Sequence, residues 1–291
     1  MISVPETSAV PTVLRGLSDI AGGYDGVICD VWGVLHNGRE SFGAAAEALG
    51  QFRTTRGPVV LLSNAPRRAE EVAAQLKRLG VPDGIFDAIV TSGEATRAEL
   101  SRRAGTDAAK PLPMYHLGPA RDRGVYDGLN VRLSSPEDSD LILCTGLFDD
   151  EKETAGDYRV LLEGARARNL PFICANPDVV VQRGTQLLYC AGAIARLYES
   201  LGGNVLNFGK PYRPVFDVAV AALARVKSVS RVLVIGDGAE TDIKGANACG
   251  YDALLISGGI HAEIAHDTRA LGDLLSKAGA RARAVMPALR W

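Results

Sequence analysis

Short apolar runs alternate with amphipathic segments along most of the chain. The runs have the length of buried strands, and the segments between them carry apolar residues at helical spacing. This alternation predicts parallel strands joined by helices, and therefore an α/β fold. The predicted strands are 26–29, 59–62, 86–90, 114–117, 140–144, 172–175, 232–235 and 253–256. The predicted helices are 13–21, 41–56, 66–79, 94–103, 158–168, 212–225 and 243–249.

The segment 94–206 has the pattern of a second, smaller α/β unit placed inside the first. It begins after Thr91-Ser-Gly93, contains strands and helices of its own, and is followed by a return to the first unit. We therefore predict a core domain of 1–93 and 207–291 and an inserted domain of 94–206. The tail 281–291 contains several apolar residues, and we expect it to pack on the core domain.

The composition indicates the general class of the protein but not the reaction that it could catalyse. Hydrophobic residues make up 47% and charged residues 23% of the chain, as in ordinary globular proteins. The net charge of −2 is too small to predict a surface for nucleic acid or membrane. No basic segment followed by a long apolar run begins at Met1, so we expect no signal peptide and no membrane span. The five cysteines lack metal-ligand spacing. Their odd number and scattered placement fit a reducing compartment, so we expect a cytoplasmic protein.

Reactive side chains stand at the ends of several predicted strands. Asp30 follows the first strand, and Ser63-Asn64 follows the second. Lys210 precedes a predicted helix, and Asp237 and Asp242 follow a later strand. Together these groups offer a nucleophile, donors to phosphate, a positive charge and carboxylates for a divalent cation, which is what phosphoryl transfer to an aspartate requires. A single aspartate at a strand end is more often a turn or capping residue, so the prediction depends on the whole set.

The order and the residue patterns of these motifs resemble those of the haloacid dehalogenase (HAD) superfamily, class IIA. The motifs are Asp-x-x-Gly-Val-Leu-x-x-Gly from Asp30, Leu-Ser-Asn ending at Asn64, Gly-Lys-Pro around Lys210 and Gly-Asp-x-x-x-Thr-Asp-Ile from Gly236. The resemblance implies a Rossmann-like parallel-sheet core with an inserted smaller α/β cap domain. It also implies a place among sugar-phosphate, nucleotide and pyridoxal-phosphate phosphatases.

The resemblance gives each of these side chains a role. It makes Asp30 the nucleophile that attacks phosphorus. Ser63 would donate its hydroxyl to a phosphoryl oxygen, and Asn64 its backbone amide or its side chain. Lys210 would neutralise charge on the phosphoryl group and on the nucleophile. Asn176-Pro-Asp178 resembles a family motif in the cap and is expected to line the substrate entrance, although a proline turn is the simpler interpretation.

The resemblance also implies one bound Mg²⁺ held by oxygen atoms. The expected donors are the carboxylates of Asp30, Asp237 and Asp242 and the backbone carbonyl of Trp32. A few protein oxygens completed by water suit this ion. Asp242 has two other roles open to it, binding the ion through water and orienting Lys210. A carboxylate acting on the dipole of the following helix is the structural alternative for Asp242.

One position departs from the family pattern. Phosphatases of this family usually carry a second aspartate, the general acid/base, two residues after the nucleophile, and here that residue is Trp32. Proton transfer of this kind is worth about two to four orders of magnitude in rate. His36 could replace the missing acid, although an exposed loop histidine is the simpler interpretation. Trp32 itself could be an apolar lid that selects leaving groups, or a mark of lost turnover.

We expect a magnesium-dependent, phosphatase-like hydrolase of small phosphate monoesters, of the sugar or nucleotide phosphate class, acting through an aspartyl phosphate. A catalytically impaired binding or regulatory protein and a phosphotransferase are the alternatives. A dehalogenase is disfavoured because that chemistry has no use for carboxylates at Asp237 and Asp242. The expected partner is a small phosphorylated metabolite, with no nucleic acid and no membrane, and the family also suggests a homodimer.

Overall fold

The structure is a computed structural model that describes residues 11–184 and 186–291. The sequence-based expectation about the start of the chain at Met1 lies outside these residues. The chain forms two compact units. The first contains residues up to Leu61, Leu79–Ala88 and Ala219–Trp291, and the second contains Leu62–Arg78 and Ile89–Val218.

The elements follow the predicted alternation. The strands are β1 Gly26–Cys29, β2 Val59–Ser63, β3 Ala88–Thr91, β4 Leu112–Leu117, β5 Val131–Leu133, β6 Leu141–Cys144, β7 Phe172–Cys174, β8 Val180–Arg183, β9 Gln186–Tyr189, β10 Val205–Asn207, β11 Val232–Gly236, β12 Asp252–Ile256 and β13 Ala284–Met286. The α-helices are α1 Ser18–Ala21, α2 Gly43–Thr55, α3 Ala69–Arg78, α4 Ser92–Ala104, α5 Arg159–Ala167, α6 Ala191–Ser200, α7 Arg213–Val226, α8 Lys244–Ala248 and α9 Thr268–Ala278. Short 3₁₀ turns cover Ala120–Val125, Ala155–Tyr158 and Ala262–Ile264, and a π-helical turn covers Ala239–Ile243.

The first unit is built on a sheet of strand order β13-β12-β11-β1-β2-β3, of which β2 and β3 continue into residues of the second unit. The pairings from β13 to β2 are parallel. Cys29 at the end of β1 lies opposite Ile235 of β11 and Leu61 of β2. β1, β2 and β11 are buried along their whole length. This is the pattern of a parallel sheet covered on both faces, and it confirms the predicted α/β fold.

The carboxyl edge of this sheet is where the reactive groups of the first unit begin. Asp30 is the residue after β1, and Asp237 is the residue after β11. Because β1 and β11 are parallel neighbours, both carboxylates leave the sheet at the same edge. Open α/β sheets bind their ligands outside this edge.

The two ends of the described chain differ from their predictions. The predicted helix 13–21 is reduced to α1, because Val13 forms a bridge with Val285 and Leu14 donates its N–H to the Val285 carbonyl. The expected packing of the tail is confirmed, since Val285, Met286 and Leu289 are buried. The tail also contributes β13, which pairs in parallel with β12, and this strand was not predicted.

The second unit has its own parallel sheet, of strand order β10-β7-β6-β4-β5. Alternate residues of β6 and β7 serve two different cores. Ile142 and Phe172 pack with α5 and α6 on one face, whereas Leu143 and Ile173 pack with α4 on the other. A separate antiparallel hairpin joins β8 and β9. The predicted limits of the inserted domain, 94–206, stay a prediction, since the second unit contains that segment and further residues on either side of it.

In the ranges 11–184 and 186–291, no helix combines the length and the apolar character that crossing a membrane requires.

The core of the second unit can be tested on one helix. Leu162 on α5 is fully buried in the cluster with Phe172 and Tyr198, whereas Val160 on the same helix is 81% exposed. Leu162→Ala is expected to lower the free energy of unfolding by roughly 2–5 kcal/mol because it leaves a cavity. Val160→Ala is the matched control and should change it by no more than about 0.5 kcal/mol. Chemical denaturation measures both, and equal effects would contradict this account of the core.

Candidate functional site

Three carboxylates of the first unit share one buried space. Asp30, Asp237 and Asp242 each place an oxygen within 4.8 Å of the others. Their exposed fractions are 7%, 5% and 1%. Buried like charges at this separation are costly, and a bound cation removes the cost. An all-oxygen donor set of this size fits Mg²⁺ or another hard divalent cation.

Backbone amides next to the cluster orient these carboxylates. Asp30 accepts a hydrogen bond of 2.7 Å at Oδ1 from the N–H of Val31. Asp237 accepts one of 3.0 Å at Oδ2 from Ile260, in the loop after β12. The Gly238 N–H donates to Asp242 Oδ2 at 3.1 Å. Each bond fixes the direction of one carboxylate oxygen.

Glycines leave the space that Asp237 occupies. A Cβ atom added to Gly33 or to Gly259 would lie 2.0 Å from Asp237 Oδ2. Gly33 also has a φ of +81°, which side-chain-bearing residues rarely adopt. A Cβ added to Gly236 would lie 2.1 Å from Asp242 Cγ. The carboxylate cluster therefore fits a metal site with closely packed walls.

Trp32 and His36 face each other across the loop that follows Asp30. Their rings meet edge to face, with centroids 4.9 Å apart and an interplanar angle of 71°. The loop closes through a bond of 2.8 Å from the Gly33 N–H to the His36 carbonyl. Trp32 is half-buried. The predicted metal contact of its backbone carbonyl stays a prediction.

His36 is not the exposed loop histidine that the sequence favoured. It is only 1% exposed, and its ring contacts the Trp32 ring edge to face. Its Nδ1 accepts a hydrogen bond of 2.9 Å from the Gly38 N–H. In the neutral ring the proton therefore belongs on Nε2.

The second unit holds the other predicted residues. Ser63, Asn64 and Lys210 are buried, with Lys210 only 2% exposed. The Lys210 N–H donates to Asn64 Oδ1 at 2.7 Å, and Asn64 Nδ2 donates to the Lys210 carbonyl at 3.1 Å. Asn64 Nδ2 also donates to Asp178 Oδ1 at 2.9 Å, and the Asp178 N–H donates to Asn176 Oδ1 at 3.1 Å. The structure thus brings Asn64, Lys210, Asp178 and Asn176 together within one unit.

Ser63 is oriented by its own turn. Its Oγ accepts a hydrogen bond of 3.1 Å from the Ala65 N–H. The hydroxyl hydrogen then points elsewhere and can be donated to an anion. This geometry is compatible with the role that the sequence suggested for Ser63.

A polar chain in the second unit was missed by sequence reasoning. Arg67 Nε donates to Asp122 Oδ1 at 3.2 Å, Thr145 also bonds to Asp122, and His116 Nε2 lies 2.9 Å from Thr145 Oγ1. Burial raises the pKa of Asp122 despite the nearby arginine. Burial lowers the pKa of His116 to about 4, so this ring is neutral at physiological pH. Only the position of Arg67, four residues after Ser63, could have drawn attention to the chain.

Two family models match the chain. The model for haloacid dehalogenase-like hydrolases matches residues 27–131, and a second model, HAD-hydrolase-like, matches residues 207–289. The matched segments include Asp30, Asp237 and Asp242, the three aspartates of the cluster.

Three comparisons with known proteins illustrate the relationship. A haloacid dehalogenase-like hydrolase from Brucella suis 1330, known as a crystal structure, is 45% identical, with a TM-score of 0.83 over 95% of this chain and 100% of that one. The D-glycerol 3-phosphate phosphatase of Mycobacterium tuberculosis is 29% identical over 260 residues, which cover 84% of this chain and 66% of the relative. A crystal structure of the M. tuberculosis glycerol phosphate phosphatase in complex with magnesium is 26% identical, with a TM-score of 0.63 over 86% of this chain and 74% of that one.

These similarities agree with the geometry of the carboxylate cluster and with the order of the motifs. The match to the Brucella protein extends over 95% of this chain, so it covers both units. The chain belongs to the haloacid dehalogenase-like hydrolases, in the class IIA branch that holds phosphatases.

Proposed function

We propose that this protein is a magnesium-dependent phosphatase that hydrolyses a small phosphate monoester of the sugar or nucleotide phosphate class. The observation that carries the proposal is the buried trio Asp30, Asp237 and Asp242. Phosphoryl transfer needs a cation to neutralise developing charge, and this donor set fits one. The names of relatives support the proposal, since one is a glycerol phosphate phosphatase crystallised with magnesium.

Asp30 is the nucleophile in this mechanism. Its carboxylate attacks phosphorus, the ester P–O bond breaks, and the leaving oxygen takes a proton from solvent water, because Trp32 has no acidic group to supply one. Water then attacks the aspartyl phosphate, which releases inorganic phosphate and restores the carboxylate. When bound, Mg²⁺ supplies charge neutralisation for the phosphoryl oxygens. The hydrogen bond from the Val31 N–H fixes one Asp30 oxygen, which keeps the carboxylate in a single orientation for attack.

Ser63 and Lys210 are the proposed phosphate-binding groups of the second unit. The Ser63 hydroxyl donates to a phosphoryl oxygen, and the Lys210 ammonium neutralises its charge. The Lys210 side chain is buried, and a charge in a low-dielectric environment acts more strongly on a neighbouring anion. Asn176 and Asp178 are proposed to line the substrate entrance. A homodimer stays an expectation drawn from the family.

A second candidate function is favoured by Trp32. Trp32 occupies the sequence position at which phosphatases of the family usually carry their general acid, and its ring contacts the buried His36 ring edge to face. A chain of this kind could retain the metal and bind phosphorylated ligands without turning them over. The alternative makes a different prediction about phosphate release.

Removal of the nucleophile separates these two functions. Asp30→Asn should reduce phosphate release from a panel of sugar and nucleotide phosphates to the background level, because an amide cannot form the covalent intermediate. Asp83→Asn, an exposed change in the same unit, is the matched control and should retain the activity. If the natural protein releases no more phosphate than Asp30→Asn from every substrate tested with Mg²⁺, that result would favour the binding protein.

The glycine walls of the metal site predict an effect on cation binding. Gly259→Ala places a Cβ atom against Asp237 Oδ2 and should weaken Mg²⁺ binding by roughly 10- to 100-fold, as changes around metal ligands do. Gly43→Ala is the control, because an added Cβ there meets nothing within 4 Å. Titration calorimetry measures both affinities. Equal affinities in the two variants would show that the cation is bound elsewhere.

Trp32→Asp tests the missing acid. An aspartate at this position should speed hydrolysis of alkyl phosphates by about 10²- to 10⁴-fold, since alkoxides are poor leaving groups that need a proton. Aryl phosphates with acidic phenols should gain much less. Trp32→Phe, which removes the indole without adding an acid, is the control. Steady-state kcat/KM on both substrate types is the measurement. The same gain in both variants would mean that steric relief, not proton transfer, is responsible.

A further inference from the structure

The Asn64 side chain uses its whole amide within the second unit. Its Oδ1 accepts from the Lys210 N–H at 2.7 Å. Its Nδ2 donates to the Lys210 carbonyl at 3.1 Å and to Asp178 Oδ1 at 2.9 Å. A primary amide has two N–H donors, so both are committed to these acceptors. A phosphate donor role for this side chain would require one of the two bonds to break.

The surrounding chain is shaped to permit this arrangement. Gly209 has a φ of +133°, and a Cβ atom there would lie 2.4 Å from Asn64 Oδ1. Side-chain-bearing residues would therefore push Asn64 away from Lys210. The Ser92 hydroxyl reaches the carbonyls of Ala65 and Ala175, at 3.0 and 2.6 Å. It ties the residue after Asn64 to the residue before Asn176.

We infer that Asn64 is a positioning residue that holds the Lys210 backbone and the Asp178 carboxylate in one fixed arrangement. Bonding both the N–H and the carbonyl of one residue fixes the peptide planes on either side of it, as a neighbouring strand would. The Cα atom of Lys210, from which the side chain extends, is then fixed as well. The functional part of this inference rests on the proposed function, in which Lys210 neutralises the phosphoryl group.

The shared Nδ2 atom gives the arrangement a second consequence. Asp178 belongs to the loop proposed to line the substrate entrance, and its carboxylate bonds to the same nitrogen that bonds to Lys210. A shift of the loop 176–178 would weaken a bond that holds the lysine in place. Asn64 therefore couples the position of the entrance loop to that of the phosphate-binding lysine.

Hydrogen exchange tests the arrangement without any need for activity. Asn64→Ala should speed exchange of the Lys210 amide, because the acceptor of its hydrogen bond is removed. Asn130→Ala is the matched control, since Asn130 Nδ2 also donates to two backbone carbonyls of the second unit, those of Ala104 and Asp107. The control should leave exchange at Lys210 unchanged. Unchanged exchange in Asn64→Ala, or equal acceleration in both variants, would overturn the inference.

A reciprocal exchange of side chains provides a second test. Asn64→Asp alone brings two carboxylates together and should speed Lys210 exchange. Adding Asp178→Asn restores an amide–carboxylate pair with the direction of donation reversed. The double variant should therefore recover part of the protection that Asn64→Asp loses. No recovery in a folded double variant would show that Asp178 is not coupled to Lys210 through this side chain.

Kinetics separates positioning from direct substrate binding. In an active protein, Asn64→Ala should lower kcat by on the order of 10²-fold, the cost of misplacing a catalytic group by about 1 Å, and change KM less. A raised KM with unchanged kcat would overturn the inference, because it would mark uniform binding of the substrate by Asn64. If the natural protein releases no phosphate, the proposed function fails, whereas the exchange experiments still decide the arrangement.

Discussion

Mutual repulsion of three buried carboxylates is the constraint around which the first unit is arranged. Two like charges about 4 Å apart repel by about 4 kcal/mol at the effective dielectric of a protein surface, and burial makes the repulsion larger. Asp30, Asp237 and Asp242 occupy such a space. Parallel pairing of β1 with β11 brings two of these carboxylates to one edge of the sheet. Since the fold holds these carboxylates close together, a bound cation would offset their repulsion, and the arrangement is that of a cation-binding site.

In the second unit, buried polar groups are satisfied by hydrogen bonds to an uncharged side chain. One of its buried polar side chains is the neutral amide of Asn64, which can donate and accept at once. That property lets one residue bond to a backbone N–H, a backbone carbonyl and a carboxylate without placing a further charge in the interior. A buried amide of this kind is stable only when its partners are all present, so it specifies one arrangement of three chain segments.

The buried strands could be predicted because both of their faces are covered. β1, β2 and β11 appear in the sequence as continuous apolar runs, and glycines mark the turns that follow β1 and β11. The short strands β5 and β10 and the partly exposed hairpin of β8 and β9 have no such run, and they were missed. That Asp237 and Asp242 would join Asp30 was implied by the resemblance to the haloacid dehalogenase superfamily, because alternation of strands and helices does not by itself predict that β1 pairs with β11.

Other parts of the site depend on contacts that no local pattern contains. Asn64 and Lys210 are separated by 146 positions, and their bonds appear only once the second unit has formed. The burial of His36 depends on how its loop folds, with the His36 ring in contact with Trp32. The sequence neighbours Leu35 and Asn37 do not predict that burial. The chain Arg67–Asp122–Thr145–His116 likewise joins segments that are far apart in sequence.

The two glycines that enclose Asp237 also bear on how this protein can evolve. Gly33 and Gly259 belong to different loops, yet each leaves a gap that is filled by the same carboxylate oxygen. A glutamate at position 237, longer by one methylene, would have to push its carboxylate into one of those loops. Lengthening the side chain at this position would thus require coordinated change in several segments at once. The geometry of the carboxylate cluster is therefore held in place by backbone packing as much as by the aspartates themselves.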